Sequence, residues 1–207
     1  MAKSEKISEA VVRRLPIYLR YLSYLQQVGV TTVSSQQMGK NLDVNPAQIR
    51  KDLAAFGDFG KKGIGYDVNF LVEKIRQILK LDQEIRVALV GAGHLGHAIS
   101  NYNAFLKDQM RIAAIFDSDP AKQGKQIAGI TIQPLEELKQ TVKDRHIRLA
   151  IITVPAAAAQ SVADLLIEAG IEGILNFAPT TIRTEKEVRI HYADVTSSLQ
   201  SLAYYLT

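Results

Sequence analysis

Gly91, Gly93 and Gly96 stand in the order G-x-G-x-x-G within "VALVGAGHLGHAI", between a continuous apolar run and a stretch with helical spacing. Such a turn brings the backbone close to a pyrophosphate and aims the first N–H groups of the following helix at the anion. Asp117 ends the next apolar run 21 positions after Gly96, near the roughly 20 expected of the acid that bonds an adenosine ribose. The spacing predicts a dinucleotide site on Gly91, Ala92, Gly93, His94, Leu95, Gly96 and Asp117. A carboxylate there repels the 2′-phosphate of NADP and accepts bonds from two free hydroxyls, so NAD⁺ or NADH is the expected ligand, although Lys122 stands nearby. Capping the "DSDP" turn is the alternative use of Asp117. Ligands of open parallel sheets lie at the carboxyl ends of the strands. That adds Thr153, Val154 and Pro155 of "TVP" and Asn176 of "NFAP" as lining of the nicotinamide half, unless they only form turns.

A second chemistry gathers at the front of the chain. Residues 1 to 80 hold 13 of the 25 Lys and Arg and 7 of the 21 Asp and Glu, a net of +6; the remainder holds 12 and 14, a net of −2. A basic piece tied to a neutral or acidic one fits a polyanion partner for that piece alone, or a merely solvated surface. "SSQQ" places Gln37 three residues after Ser34, as a capping box requires, and opens a helix ending near Asn41. In "NPAQIRKDLAAFG", Asn45 caps, Pro46 fits the first helical position, Ile49 and Leu53 face inward and Gly57 stops the run. Gln48, Arg50 and Lys51 take the outer face. Two short helices with a tight link read as a helix-turn-helix whose second member enters a major groove, or as an ordinary amphipathic surface pair. The "FGDFGKKGIGY" stretch follows, with glycines around Lys61 and Lys62, and reads as a wing that carries both lysines to phosphates or into the minor groove, or as a plain hairpin. The candidate DNA contacts are Ser34, Ser35, Gln48, Arg50, Lys51, Lys61 and Lys62.

The elements needed to position both sets are legible. Val12, Leu15, Leu19, Leu22 and Leu25 form an apolar helical stripe, with Pro16 requiring either a kink or a helix beginning just before it. A seam falls near Leu81. Beyond it the β-rich runs "IRVALV", "MRIAAIF", "IRLAIITV" and "IEGILNF" alternate with helical stretches, which predicts a parallel, doubly wound sheet. The expected fold class is α/β. Residues 1–80 form a winged helix-turn-helix domain, residues 81–193 a Rossmann domain and residues 194–207 a C-terminal helix.

Bulk composition is globular, with 47% hydrophobic and 22% charged residues. Cysteine is absent and the four histidines make no H-x-x-x-H pair, so no disulfide and no metal site is expected. The start "MAKSEKISEA" lacks the apolar core of a signal peptide and no apolar run reaches about 18 residues, so a soluble, cytoplasmic protein is expected. A dehydrogenase needs a second region for substrate and a group to move a proton. The 127 residues from 81 onward are nearly used up by a dinucleotide fold, so binding without turnover is the expectation. A small NAD(P)-dependent oxidoreductase and a CoA-binding domain are the rival readings.

The order "SSQQMG", "QIRKDLAAFGDFG", "GIGY", "GAGHLG", "FDSDP", "TVP", "ILNFAP" resembles the redox-sensing transcriptional repressor family known as Rex over essentially the whole chain. The resemblance implies a homodimer whose winged helices bind palindromic operator DNA and whose Rossmann domains sense NADH against NAD⁺. It implies a C-terminal helix exchanged between subunits, which "TSSLQSLAYYL" supplies. It further implies that Tyr102 contacts the nicotinamide ring and that Arg20 and Asp194 form a switch with it.

Overall fold

The structure is a computed structural model that describes residues 8–57, 60–61, 65–102 and 109–206. The chain divides into two units, Met1–Asp82 and Gln83–Thr207.

The first unit begins with α1 (Glu9–Gln27), which runs through Pro16. The helix therefore starts seven residues before the proline rather than just before it. Its buried stripe is Leu15, Tyr18, Leu22 and Leu25, with Leu19 partly buried. Val12, expected in that stripe, is 42% exposed, and Tyr18 takes up the inward position instead. After β1 (Thr32–Val33), the Ser34 hydroxyl accepts the Gln37 N–H while the Gln37 side chain accepts the Ser34 N–H, starting α2 (Ser35–Leu42) with a complete capping box. Asp43 then adopts a left-handed conformation at φ 52°. A side chain on Gly39 would meet the Val44 carbonyl at 2.6 Å, so the two helices close on a tight corner. The Asn45 side chain accepts the Ala47 N–H to begin α3 (Pro46–Ala54), with Pro46 in its first turn.

Strands β2 (Gly60–Lys61) and β3 (Gly65–Asp67) pair antiparallel, and β3 also pairs β1, in the order β1-β3-β2. This small sheet places a hairpin where the glycine-rich wing was expected. Lys61 lies on β2, and Lys62 falls outside the described residues. Asp67 caps α4 (Val68–Ile78) by accepting the Phe70 N–H. Val68, Leu71, Val72 and Ile75 of α4 join the stripe of α1 with Met38, Ile49 and Leu53 in one core.

The second unit contains β4 (Ile85–Val90), α5 (His94–Tyr102), β5 (Met110–Phe116), β6 (Gln126–Ile127) and β7 (Ile130–Gln133). A 3₁₀ turn at Leu135–Glu137 leads into α6 (Leu138–Asp144), then β8 (Leu149–Ile152), α7 (Ala156–Glu168), β9 (Gly173–Asn176), β10 (Arg189–Tyr192) and α8 (Val195–Ala203). The sheet order is β10-β9-β8-β4-β5-β7-β6. Counted outward from β4, that is the Rossmann order with β6 appended at one edge. Every ladder is parallel except β6 with β7, so the all-parallel expectation fails at that edge, where a two-residue turn folds β6 back onto β7. Along β4 the side chains alternate between faces. Ala88 and Val90 pack with α6 and α7, whereas Leu89 packs with Ile112, Ile115 and Ile99 of α5.

Candidate dinucleotide site and nucleic-acid interface

The chain reverses between β4 and β8, the point at which an open parallel sheet of this order leaves a crevice at its carboxyl edge. Gly91 leaves β4 at φ 106°, a conformation that side chains rarely adopt, and a Cβ there would lie 2.7 Å from the Thr153 carbonyl oxygen. A Cβ on Gly96 would lie 2.0 Å from the Gly91 carbonyl oxygen, because α5 starts hard against the turn. Gly93 differs from both. Beyond its two chain neighbours, no protein atom lies within 4 Å of where its Cβ would stand, and it borders a cleft of about 610 Å³ with Gly91, Asp117, Lys122, Thr153 and Pro155. The outer glycines serve the fold, and the middle one opens onto the cleft.

Asp117 sits just beyond β5, as the spacing predicts, and is 6% exposed. One oxygen accepts the Ala92 N–H at 2.7 Å and the Lys122 ammonium at 3.0 Å; the other accepts the Asp119 N–H at 2.8 Å. Burial acts to raise its pKa, yet the Asp119 N–H, Lys122 and the Ala92 N–H together hold the carboxyl below the usual carboxylate range. Asp117 thus bonds the "DSDP" turn, the alternative use foreseen for it, and also lines the cleft. The Thr153 hydroxyl donates toward the carbonyls of Val90 and Gly91 and so ties the end of β8 to the glycine turn. Val154 and Pro155 continue along the cleft wall.

Leu95 and Asn176 border a second cleft of about 480 Å³ at the same edge, together with Ala178, Thr180, Asp194 and Val195. Asn176 is 1% exposed, and its carboxamide is bonded to Ala178 and Thr180, so its polar atoms shape the turn after β9. His94 opens α5 and is exposed; Tyr102 ends α5 and is 66% exposed. Asp194 accepts the Ser197 N–H at 2.9 Å and caps α8. That helix has no buried residue; Leu199 and Leu202 are each 61% exposed. The residues present suit a dinucleotide: an open glycine, a helix N-terminus and a buried carboxylate converge on one cleft.

In the first unit, Arg50 and Lys51 lie exposed on α3 and Gln48 is half-buried. Arg50 donates to the Ser35 hydroxyl at 3.0 Å, joining α3 to the start of α2. Ser35 is itself 8% exposed, and the Ser34 hydroxyl is engaged in its cap, so both serines brace the helix-turn-helix. Arg20 is exposed on α1. Sequence reasoning missed Asp52, which is fully buried on α3 between Ile49 and Leu53. Its position on the apolar side of the helix was the available signal.

Fold and site define a two-domain protein that carries a winged helix-turn-helix and a Rossmann nucleotide domain on one chain. The family described as "CoA binding domain" matches residues 82–180, and "Putative DNA-binding protein N-terminus" matches residues 6–54. The redox-sensing transcriptional repressor Rex of Brevibacillus brevis is 84% identical over 207 residues, covering 100% of both chains. Rex of a Roseiflexus species is 48% identical, covering 100% of this chain and 94% of the relative. The chain belongs to the redox-sensing transcriptional repressor Rex family. A crystal structure of RSP in complex with β-NAD⁺ and operator DNA matches at a TM-score of 0.90 and 36% identity, covering 97% of this chain and 92% of that one. RSP in complex with β-NADH matches at 0.87 and 34% identity, covering 97% and 94%. Among the described residues, no helix is long and apolar enough to cross a membrane.

Proposed function

We propose that this protein is a cytoplasmic transcriptional repressor that grips palindromic operator DNA as a homodimer and is released from it by NADH. The observation that carries the reading is the open space at Gly93, beside a buried acid and a helix N-terminus, on the same chain as a winged helix-turn-helix. The family's Rex relatives and the RSP complexes with operator DNA, NAD⁺ and NADH support it. Residues 1–80 supply the DNA-binding domain, 81–193 the coenzyme domain and 194–207 a helix exchanged between subunits. The exposed apolar side chains of α8 suit that exchange.

Gly91, Gly93 and the N-terminus of α5 hold the pyrophosphate, Asp117 the adenosine ribose, and Leu95, Thr153 and Asn176 shape the nicotinamide half. Reduction of NAD⁺ removes the formal cation of the nicotinamide ring. The apolar side chains of Leu95, Ala178 and Val195 in the second cleft solvate that cation poorly, and Asp194 at the same cleft offers it no counter-charge only while another partner engages it, so the preference for the reduced form rests on that engagement. A 100-fold preference requires about 2.8 kcal/mol. With NADH bound, Tyr102 engages Asp194 and leaves Arg20 free; with NAD⁺ or no coenzyme, Arg20 pairs with Asp194 and the wings are spaced for DNA. Two wings about a dyad contact half-sites about one helical turn, roughly 34 Å, apart or a multiple of it.

The test is a gel-shift titration on a palindromic duplex with NADH and NAD⁺ added separately. NADH should release the duplex at concentrations where NAD⁺ does not, and equal behaviour of the two would overturn the proposal. Incubation with NADH and a panel of carbonyl compounds checks the oxidoreductase alternative, which requires that the coenzyme be consumed.

A further inference from the structure

Asp52 is a buried acid whose four acceptor positions are all filled. One oxygen accepts Arg14 Nε at 2.6 Å and the Tyr18 hydroxyl at 2.7 Å; the other accepts Arg14 Nη2 at 2.8 Å and Gln48 Nε2 at 2.6 Å. Burial acts to raise its pKa, but the bonds from Arg14, Tyr18 and Gln48 keep it below the usual carboxylate range, so the group is charged at neutral pH. Arg14 and Tyr18 belong to α1, and through Asp52 they lock α3 against it.

The bond to Gln48 has a different consequence. A carboxylate only accepts hydrogen bonds, so it can hold the NH₂ end of the Gln48 carboxamide and never the oxygen end. An exposed glutamine can present either end outward; this one cannot. Gln48 is the third residue of α3, in the turn of a recognition helix whose side chains meet base edges. With one N–H on Asp52, the amide offers its oxygen and its remaining N–H in a fixed order. Adenine shows the complementary pair in the major groove, an N7 acceptor beside an N6 donor; guanine shows two acceptors, cytosine a donor and thymine an acceptor.

We propose that Asp52 is a positioning residue that fixes the Gln48 amide and makes Gln48 the reader of an adenine in each operator half-site. The inference rests on the DNA-binding reading above.

To test it, wild-type protein selects duplexes from a randomised palindromic library. The selected duplex is then varied one base pair at a time in competition gel shifts with wild type, Gln48→Met and Asp52→Asn. Wild type should prefer adenine at one symmetric position by about ten-fold or more. Gln48→Met should flatten that position alone. Asp52→Asn should flatten the same position, because an asparagine amide can satisfy either end of Gln48. If Asp52→Asn does not melt cooperatively, the side-chain ¹⁵N–¹H signals of Gln48 in the wild type decide: one proton shifted far downfield supports the anchored amide, and an averaged, exposed-amide signal overturns it. A uniform loss of affinity at every position in Gln48→Met, an unchanged profile, or a preference for another base also overturns the proposal. Failure of the wild type to select any duplex would instead remove the DNA-binding reading, and this inference with it.

Discussion

The Asp117 carboxylate accepts the Ala92 N–H at 2.7 Å, so the acid that ends β5 clamps the middle of the glycine turn that leaves β4. Two strands that the sequence separates by a helix are joined at the one place where a coenzyme would have to touch both.

Asp117→Ala should therefore lower stability by about 1–3 kcal/mol, the usual cost of orphaning buried donors, and weaken NADH binding at least ten-fold. The folded carboxyl is held below its unfolded value of about 3.9, so its stabilisation is fully present above about pH 4 and is lost as pH falls through the depressed folded value. Melting curves of both proteins should differ by a constant amount from pH 7 to 5 and converge in stronger acid. A gap that persists unchanged into strong acid would show that the charge is not responsible.

Gly93 and Gly96 should behave oppositely when replaced by alanine. Gly96→Ala drives a methyl group into the Gly91 carbonyl and should cost stability on the order of 1–3 kcal/mol. Gly93→Ala meets no protein atom and should leave the melting temperature nearly unchanged while reducing NADH affinity, measured by fluorescence titration. Unchanged NADH binding in Gly93→Ala would place the coenzyme elsewhere.

Lys51→Ala should weaken binding to the palindromic duplex and reduce the slope of log affinity against log salt by about 1, as expected for one lost phosphate contact. Arg50→Ala should weaken it further, because Arg50 also braces Ser35. Unaltered affinity in both variants at moderate salt would argue against α3 as the DNA-reading element.

Asp194 both caps α8 and carries the charge assigned to the switch. Asp194→Asn keeps a capping oxygen and removes the charge, so α8 should persist while NADH no longer alters DNA affinity. Asp194→Ala should lose both. Wild-type release of Asp194→Asn by NADH would refute the switch.

The local signals proved readable. The capping box of Ser34 and Gln37, the Asn45–Pro46 start and the G-x-G-x-x-G turn each depend on residues a few positions apart, and their elements form where expected. Elements too short to carry a period of their own, which exist only through pairing, did not show themselves. Strand β1 is two residues long and exists only because Thr32 and Val33 find β3, and β6 exists only by folding back on β7. Val12 fits a helical stripe by spacing yet is exposed, whereas Tyr18, three after Leu15 and four before Leu22, is buried there with its hydroxyl satisfied by Asp52, 34 positions away. Asp52 escaped notice because two of its three partners, Arg14 and Tyr18, lie on another helix, and periodicity scores a carboxylate on an inner face as a mismatch.

Helix α8 buries none of its residues, and a nine-residue helix standing alone in water is close to the coil transition. If, as proposed, this helix is exchanged between subunits, its order depends on how much of the protein is present. A cell that makes too few copies would hold chains whose glycine turn and Asp117 are intact but whose second cleft has lost the wall supplied by Val195 and Thr196 of the frayed helix, so that NADH is held poorly and not reported. Abundance, in that case, sets the threshold below which the repressor is deaf.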